Sequence, residues 1–208
     1  MRILIFTHPR AGSTYVQNLL AHKFGLENWG ELQGPEDLRG KGRLPEYEYY
    51  TRNNYVVKVL SVQLFHNVYD WSNFNWTMMD HIVITDRSTN LTDQICSWMT
   101  RVQGITSPSN LDTTSLAFTH SLKCLKRYYE HKQYLVDNFQ QVKVVPYELT
   151  QKLPEDYVDE LNRITNFDIS VDDCYSASDC KGMLNNKKDY RKLVLNYDEV
   201  TEIIKDTI

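Results

Sequence analysis

The apolar positions of this chain fall into short continuous runs separated by stretches of helical period. Residues 2–7 (RILIFT), 55–60 (YVVKVL), 81–86 (HIVITD) and 142–147 (VKVVPY) each read as a buried strand, the last ended by Pro146. Between them the period lengthens to that of a helix. Helices are predicted over 12–24, where Val16, Leu19 and Leu20 share a face, and from about Leu91 to Gln103. A longer one runs from Thr113 to Asn138 with Leu116, His120, Cys124, Tyr128 and Leu135 on one side. Pro154 opens another through about Ile164, with Glu155 and Asp156 in its first turn, and 197–206 forms a terminal helix capped by Asn196 or Asp198. Residues 25–54, rich in Gly, Pro and charge, show neither period and read as a long loop excursion; 168–188 reads as irregular and polar.

Strands alternating with helices predict an α/β fold, with a central, mainly parallel sheet flanked by helices, in a single domain over residues 1–208. Ligands of such sheets sit beyond the carboxyl ends of the strands. That gathers the loop at 8–14 and the strand ends near 61, 87 and 148 around one crevice.

Composition narrows the partners. A net charge of −4 argues against nucleic acid, and no apolar stretch approaches the length of a membrane span. Met1 leads into a five-residue apolar run too short for a secretion signal, so a cytoplasmic location with reduced thiols is expected for Cys96, Cys124, Cys174 and Cys180. Cys174 and Cys180 have no histidine at ligand spacing, and no metal site is expected. With 14 Tyr and 4 Trp, some aromatic side chains are expected to wall a pocket.

The chemistry concentrates in "FTHPRAGSTYVQNLL", residues 6–20, a strand, a small basic turn and a helix start. A helix N-terminus after a tight turn offers unpaired amides and the positive end of a dipole. Gly12 permits close approach of an anion, Ser13 and Thr14 add hydroxyls, and Arg10 adds a guanidinium fork. The usual nucleotide-loop pattern, G-x-x-x-x-G-K-[ST], is absent. Asp86 ends a strand, but nothing else suggests a magnesium site.

"PRAGSTYVQNLL" resembles the 5′-phosphosulfate loop of sulfotransferases that use 3′-phosphoadenosine-5′-phosphosulfate (PAPS). The resemblance implies a P-loop NTPase-like three-layer fold and a nucleotide bound without a γ-phosphate or obligatory magnesium. It implies contacts to the 5′-phosphosulfate from Arg10, Ala11, Gly12, Ser13, Thr14 and Tyr15, with a catalytic role for Arg10, or a lysine close by, in stabilising charge on the bridging oxygen as the S–O bond breaks. A second segment, "IVITDRSTNLTDQICSWM", is similar to the family's 3′-phosphate motif, which assigns Arg87 and Ser97 to that group. Their separation is ten residues, two more than is usual in the family, and the extra residues fall in the turn "RSTN".

In this family the base that deprotonates the acceptor is a glutamate shortly after the first helix or a histidine after the second strand. Glu31 in "GLENWGELQGP" fits the first description and is preferred; His66 is the alternative, displaced from the family's position, which here reads Lys58-Val59-Leu60. His8 is a further ionisable group beside the loop. The basic C-terminal segment, about 184–208, resembles the stretch that folds over the family's nucleotide, and offers Lys187, Lys188, Arg191 and Lys192, of which Lys188 and Arg191 are the preferred contacts. The implied activity is transfer of a sulfuryl group from PAPS to a hydroxyl or amine of a small-molecule or carbohydrate acceptor, releasing 3′-phosphoadenosine-5′-phosphate (PAP). Residues 25–54 and 68–76 are the expected acceptor walls. The alternatives are a P-loop kinase of a small molecule and a nucleotide-binding protein without catalysis.

Overall fold

The structure, a computed structural model, describes residues 1–31, 51–64, 75–177 and 188–208. Five strands form one all-parallel sheet: β1 (Arg2–Thr7), β2 (Glu27–Glu31), β3 (Tyr55–Leu60), β4 (His81–Asp86) and β5 (Val142–Pro146), in the order β2-β3-β1-β4-β5. Among the described residues the helices are α1 (Ser13–Phe24), α2 (Leu91–Val102), α3 (Leu116–Asn138), α4 (Pro154–Thr165), α5 (Val171–Ser176), α6 (Tyr190–Leu193) and α7 (Tyr197–Thr207).

Side chains alternate across the strands, so each buried strand feeds two cores. Ile3, Ile5, Val56, Val83 and Val145 meet α1, α4 and α5 on one face. Leu4, Phe6, Val57, Val59, Ile82 and Ile84 meet α2, α3 and α7 on the other. The chain leaves β1 for α1 on the first face and β4 for α2 on the second. The connections from the carboxyl ends of these neighbouring strands therefore diverge to opposite faces, the usual ligand position in a parallel sheet.

Four expectations need correction. Residues 27–31 are not loop but an edge strand, parallel to β3. Residues 168–188 contain α5, begun by a capping box in which Ser170 and Asp173 satisfy each other's backbone amides. Leu116 is 89% exposed and outside the core stripe of α3, which Phe118, Leu122, Leu125 and Tyr128 fill instead. Asn196 does stand before α7, but its side chain accepts from the Leu111 amide rather than capping the helix. Cys96, Cys124 and Cys174 are free thiols, all buried; Cys180 lies outside the described residues.

Candidate functional site

The loop from His8 to Gly12 is shaped by two left-handed residues. Arg10 has φ 70° and Gly12 has φ 73°. For Gly12 this conformation is free of Cβ strain; for Arg10 it must be held by its surroundings. The holding groups come from the β4–α2 segment. Gln94 Nε2 donates to the Pro9 carbonyl at 3.0 Å, and Arg87 Nη1 donates to the Arg10 carbonyl at 3.2 Å. With these carbonyls taken up, the first turn of α1 faces the crevice with its amides. Tyr15 and Val16 amides donate to the Gly12 carbonyl, whereas those of Ser13 and Thr14 have no acceptor among the described residues.

The loop's side chains divide. Thr14 is exposed, and Lys58 Nζ donates to its Oγ1 at 3.0 Å. The same ammonium lies 3.1 Å from Glu31 Oε1. Lys58 is 4% exposed, at the carboxyl end of β3 on the α1 face. Glu31 reaches it because β2 carries a bulge: pairing with β3 shifts between Asn28 and Glu31, around Gly30 at φ 69°. Gln17 Nε2 fixes the bulge by donating to the Gly30 carbonyl, and Trp29 stacks on Tyr55 at 3.8 Å. Glu31 is thus a strand-end carboxylate paired with a buried lysine.

Arg10 is exposed and extends along the other side of the loop. Its Nε donates to Ser97 Oγ at 3.0 Å, and Ser97 also accepts from Tyr190 Oη at 2.8 Å. Ser97, on α2, is 6% exposed. Arg87 is 7% exposed, lies 4.1 Å above the Tyr147 ring, and places Nη2 3.8 Å from Asp93. Its Nε is buried and has no acceptor among the described residues. Burial pushes the Tyr147 phenol upward; the Arg87 cation pulls the other way.

His8 is fully buried behind the loop. Nδ1 bonds the Ser61 hydroxyl at 2.7 Å, the ring packs edge-on against Trp98, and Nε2 has no partner among the described residues. Burial lowers its pKa to about 3, so the ring is neutral and part of the packing. Asp86 is bound by Lys132 at 2.6 Å and Ser88 at 2.9 Å. Among the described residues no group of His, Cys, Asp or Glu could hold a metal ion, and no helix is long and apolar enough to cross a membrane.

The structure therefore brings Arg10, Gly12, Ser13, Thr14, Arg87, Ser97 and Glu31 to one edge of the sheet. Ala11 is buried in the turn, and Tyr15 sends its ring into the core, where its hydroxyl meets that of Tyr157. His66 and Lys187 lie outside the described residues, as do most of the expected acceptor walls. Lys188 is exposed; Arg191 lies over the Tyr197 ring at 4.7 Å and 3.5 Å from Asp198. Among the described residues of the C-terminal segment, Tyr190 reaches Ser97. Lys58 and Gln94 were the residues to have suspected. A lysine inside an apolar strand and a glutamine on the buried face of a helix both demand partners. No protein-family model matches this chain, and no curated protein matches it.

Proposed function

We propose that this protein is a sulfotransferase that moves a sulfuryl group from PAPS to a hydroxyl or amine of a small-molecule or carbohydrate acceptor. One observation carries the reading. The β4–α2 segment takes up the Pro9 and Arg10 carbonyls and so leaves the α1 amides, Thr14, Arg10 and Ser97 facing one crevice as donors. That arrangement suits a ligand with two separate anionic groups, and the donors present need no metal to bind them.

In this reading the Ser13 and Thr14 amides and Lys58 receive the 5′-phosphosulfate, while the cluster around Ser97 receives the 3′-phosphate. Glu31 accepts the acceptor's proton as the new S–O bond, or S–N bond with an amine, forms. The old S–O bond breaks toward the 5′-phosphate oxygen, which leaves as part of PAP. Lys58 donates to that oxygen as its charge grows. A contact that strengthens as charge develops acts on turnover more than on affinity. Sulfuryl transfer of this loose kind depends chiefly on placement and charge, which a rigid sheet edge supplies.

The test is a calorimetric titration with PAP against ATP and magnesium, followed by PAP release from PAPS across a panel of hydroxyl and amine acceptors. Preference for PAP, with release that Glu31→Gln abolishes, supports the reading. Preference for ATP with magnesium overturns it in favour of a kinase. PAP binding without release on any acceptor, or in water, favours a nucleotide-binding protein without catalysis.

A further inference from the structure

The face on which Glu31 sits is not the one that strand alternation gives it. Residues two apart on a regular strand share a face. Trp29 packs into the core beneath α2, α3 and α7, stacked on Tyr55. Regular alternation would send Glu31 the same way, off the layer that carries α1. Pairing with β3 runs otherwise. Asn28 stands opposite Val56 and Glu31 opposite Lys58, so Trp29 and Gly30 together span the single residue Val57. Val56 belongs to the α1 core, and Lys58, two residues on, shares its face. One extra residue has therefore moved Glu31 across the sheet to Lys58 and Thr14.

The extra residue is held from α1. Gly30 has φ 69°, and a bulged residue leaves its backbone groups without ladder partners. Side chains take up both. The Gly30 amide donates to Asn28 Oδ1 at 3.0 Å, and the Gly30 carbonyl accepts from Gln17 Nε2 at 2.8 Å. Asn28 in turn donates to Asn18 Oδ1 at 2.8 Å. Thr14, Gln17 and Asn18 follow the i, i+3, i+4 spacing and form one face of α1, where they meet Lys58, Gly30 and Asn28. Gln17 is the enclosed member, at 2% exposure. The helix that opens at the anion loop thus also grips the strand end that carries the carboxylate.

Resting on the sulfotransferase reading, we propose that Gln17 is a positioning residue for the base. It holds the Gly30 carbonyl, the bulge keeps Glu31 on the α1 face, and the carboxylate meets the acceptor beside Lys58. Gln17 touches neither nucleotide nor acceptor in this reading. Its effect runs through Glu31, so it acts on turnover and not on nucleotide affinity. Without the Gln17 amide the β3 ladder competes for the Gly30 carbonyl, and a return to regular pairing carries Glu31 to the Trp29 face, out of reach of the acceptor.

The experiment measures kcat for PAP release from PAPS, with the best acceptor of the panel or with water, and PAP affinity by calorimetry. Gln17→Met keeps an unbranched stem in the core and removes the donor. It is expected to lower kcat about tenfold and to leave PAP affinity within about twofold. Among the described residues nothing lies within 4 Å of a Cβ at Gly30, so backbone conformation separates two substitutions there. Gly30→Asn tolerates the left-handed region and is expected to keep kcat within about threefold, whereas the β-branched Gly30→Val is expected to lower it about a hundredfold. A crystal structure of Gly30→Val is expected to show Glu31 away from Lys58. Turnover of Gln17→Met within about threefold of wild type overturns the positioning role, and so does a loss of PAP affinity as large as the loss of kcat. Equal losses in Gly30→Asn and Gly30→Val overturn the part given to the left-handed backbone. Glu31 still paired with Lys58 in the Gly30→Val crystal overturns the bulge as the cause of its face, whatever the activity. A wild-type protein that releases no PAP overturns the sulfotransferase reading and the base with it, while the crystal structure still decides what holds Glu31 on its face.

Discussion

Replacing Lys58 by Met separates a scaffold role from a chemical one. The methionine keeps the unbranched stem within β3 and removes the ammonium that joins Thr14 at 3.0 Å to Glu31 at 3.1 Å. Breaking a fully buried ion pair typically costs about 3–5 kcal/mol, because a charge is left behind without water or partner. Here the abandoned partner is the Glu31 side chain, which is 41% exposed and regains water, and Thr14 is exposed too. Removal of a 4%-exposed lysine also ends the burial of its own charge. The net change in stability is therefore expected within about 1 kcal/mol, or about 2–4 °C in melting temperature for a chain of this size. Turnover should respond on a different scale. Loss of one donor aimed at developing charge lowers kcat about 10²–10³-fold. The assay is PAP release from PAPS, with the best acceptor from the panel or with water, alongside a thermal melt. Turnover within threefold of wild type with an intact fold would refute the chemical role. A melting temperature lowered by more than about 10 °C would refute the reasoning about exposure.

Three further outcomes follow from the same structure. His8 is neutral in the fold, with its pKa lowered from 6.5 to about 3, so the unfolded chain takes up the extra proton below pH 6.5. Stability should fall by about 2 kcal/mol from His8 between pH 6.5 and 5, measured by denaturant unfolding, with His131 acting in the same direction; a flat profile would contradict this. Burial pushes the thiols of Cys96 and Cys124 up to about 12, so at pH 8 neither should react with a disulfide reagent faster than the protein unfolds. Among the described residues nothing lies within 4 Å of a Cβ at Gly30, so Gly30→Ala should cost only the left-handed backbone, about 1–2 kcal/mol; a fall in melting temperature above about 8 °C would show that the bulge is tighter than this.

What the sequence made legible tracks what a hydrophobic pattern can encode. β1, β3 and β4 are apolar runs because most of their side chains are buried between two layers of helices, whereas β5, at the end of the sheet, buries only Val145 fully. β2 is "ENWGE", an edge strand with its end residues exposed and a glycine bulge inside it, so no period marks it. Its place is set by groups far away in sequence: Tyr55 beneath Trp29, Gln17 on the Gly30 carbonyl and Lys58 on Glu31. Leu116 failed for a related reason. It has the spacing of the α3 stripe, but it sits in the first helical position after Ser115, which caps the helix through the Phe118 amide, where no other layer covers it.

The site was legible as two motifs but not as one mechanism. A motif specifies residue types, whereas the direction of a donor depends on what occupies its other valences. The loop "PRAGST" has its Pro9 and Arg10 carbonyls held by Gln94 and Arg87, and both come from the second motif. The second motif in turn needs the loop, since Ser97 receives Arg10 Nε. Each segment is incomplete without the other, which is why a dozen residues of resemblance at the N-terminus carry little until the β4–α2 turn is added. What the structure adds to the two patterns is therefore their reciprocal bonding. A change at Gln94 should then weaken ligands at the α1 amides without touching them: Gln94→Leu orphans the Pro9 carbonyl and frees the loop backbone to turn it toward the crevice. Adenosine 5′-phosphate and PAP should both lose about tenfold in affinity, read by calorimetry with the fold checked by circular dichroism. Unchanged affinity for both would mean that the loop holds its shape from its own residues, and that the bonding between the motifs plays no part in binding.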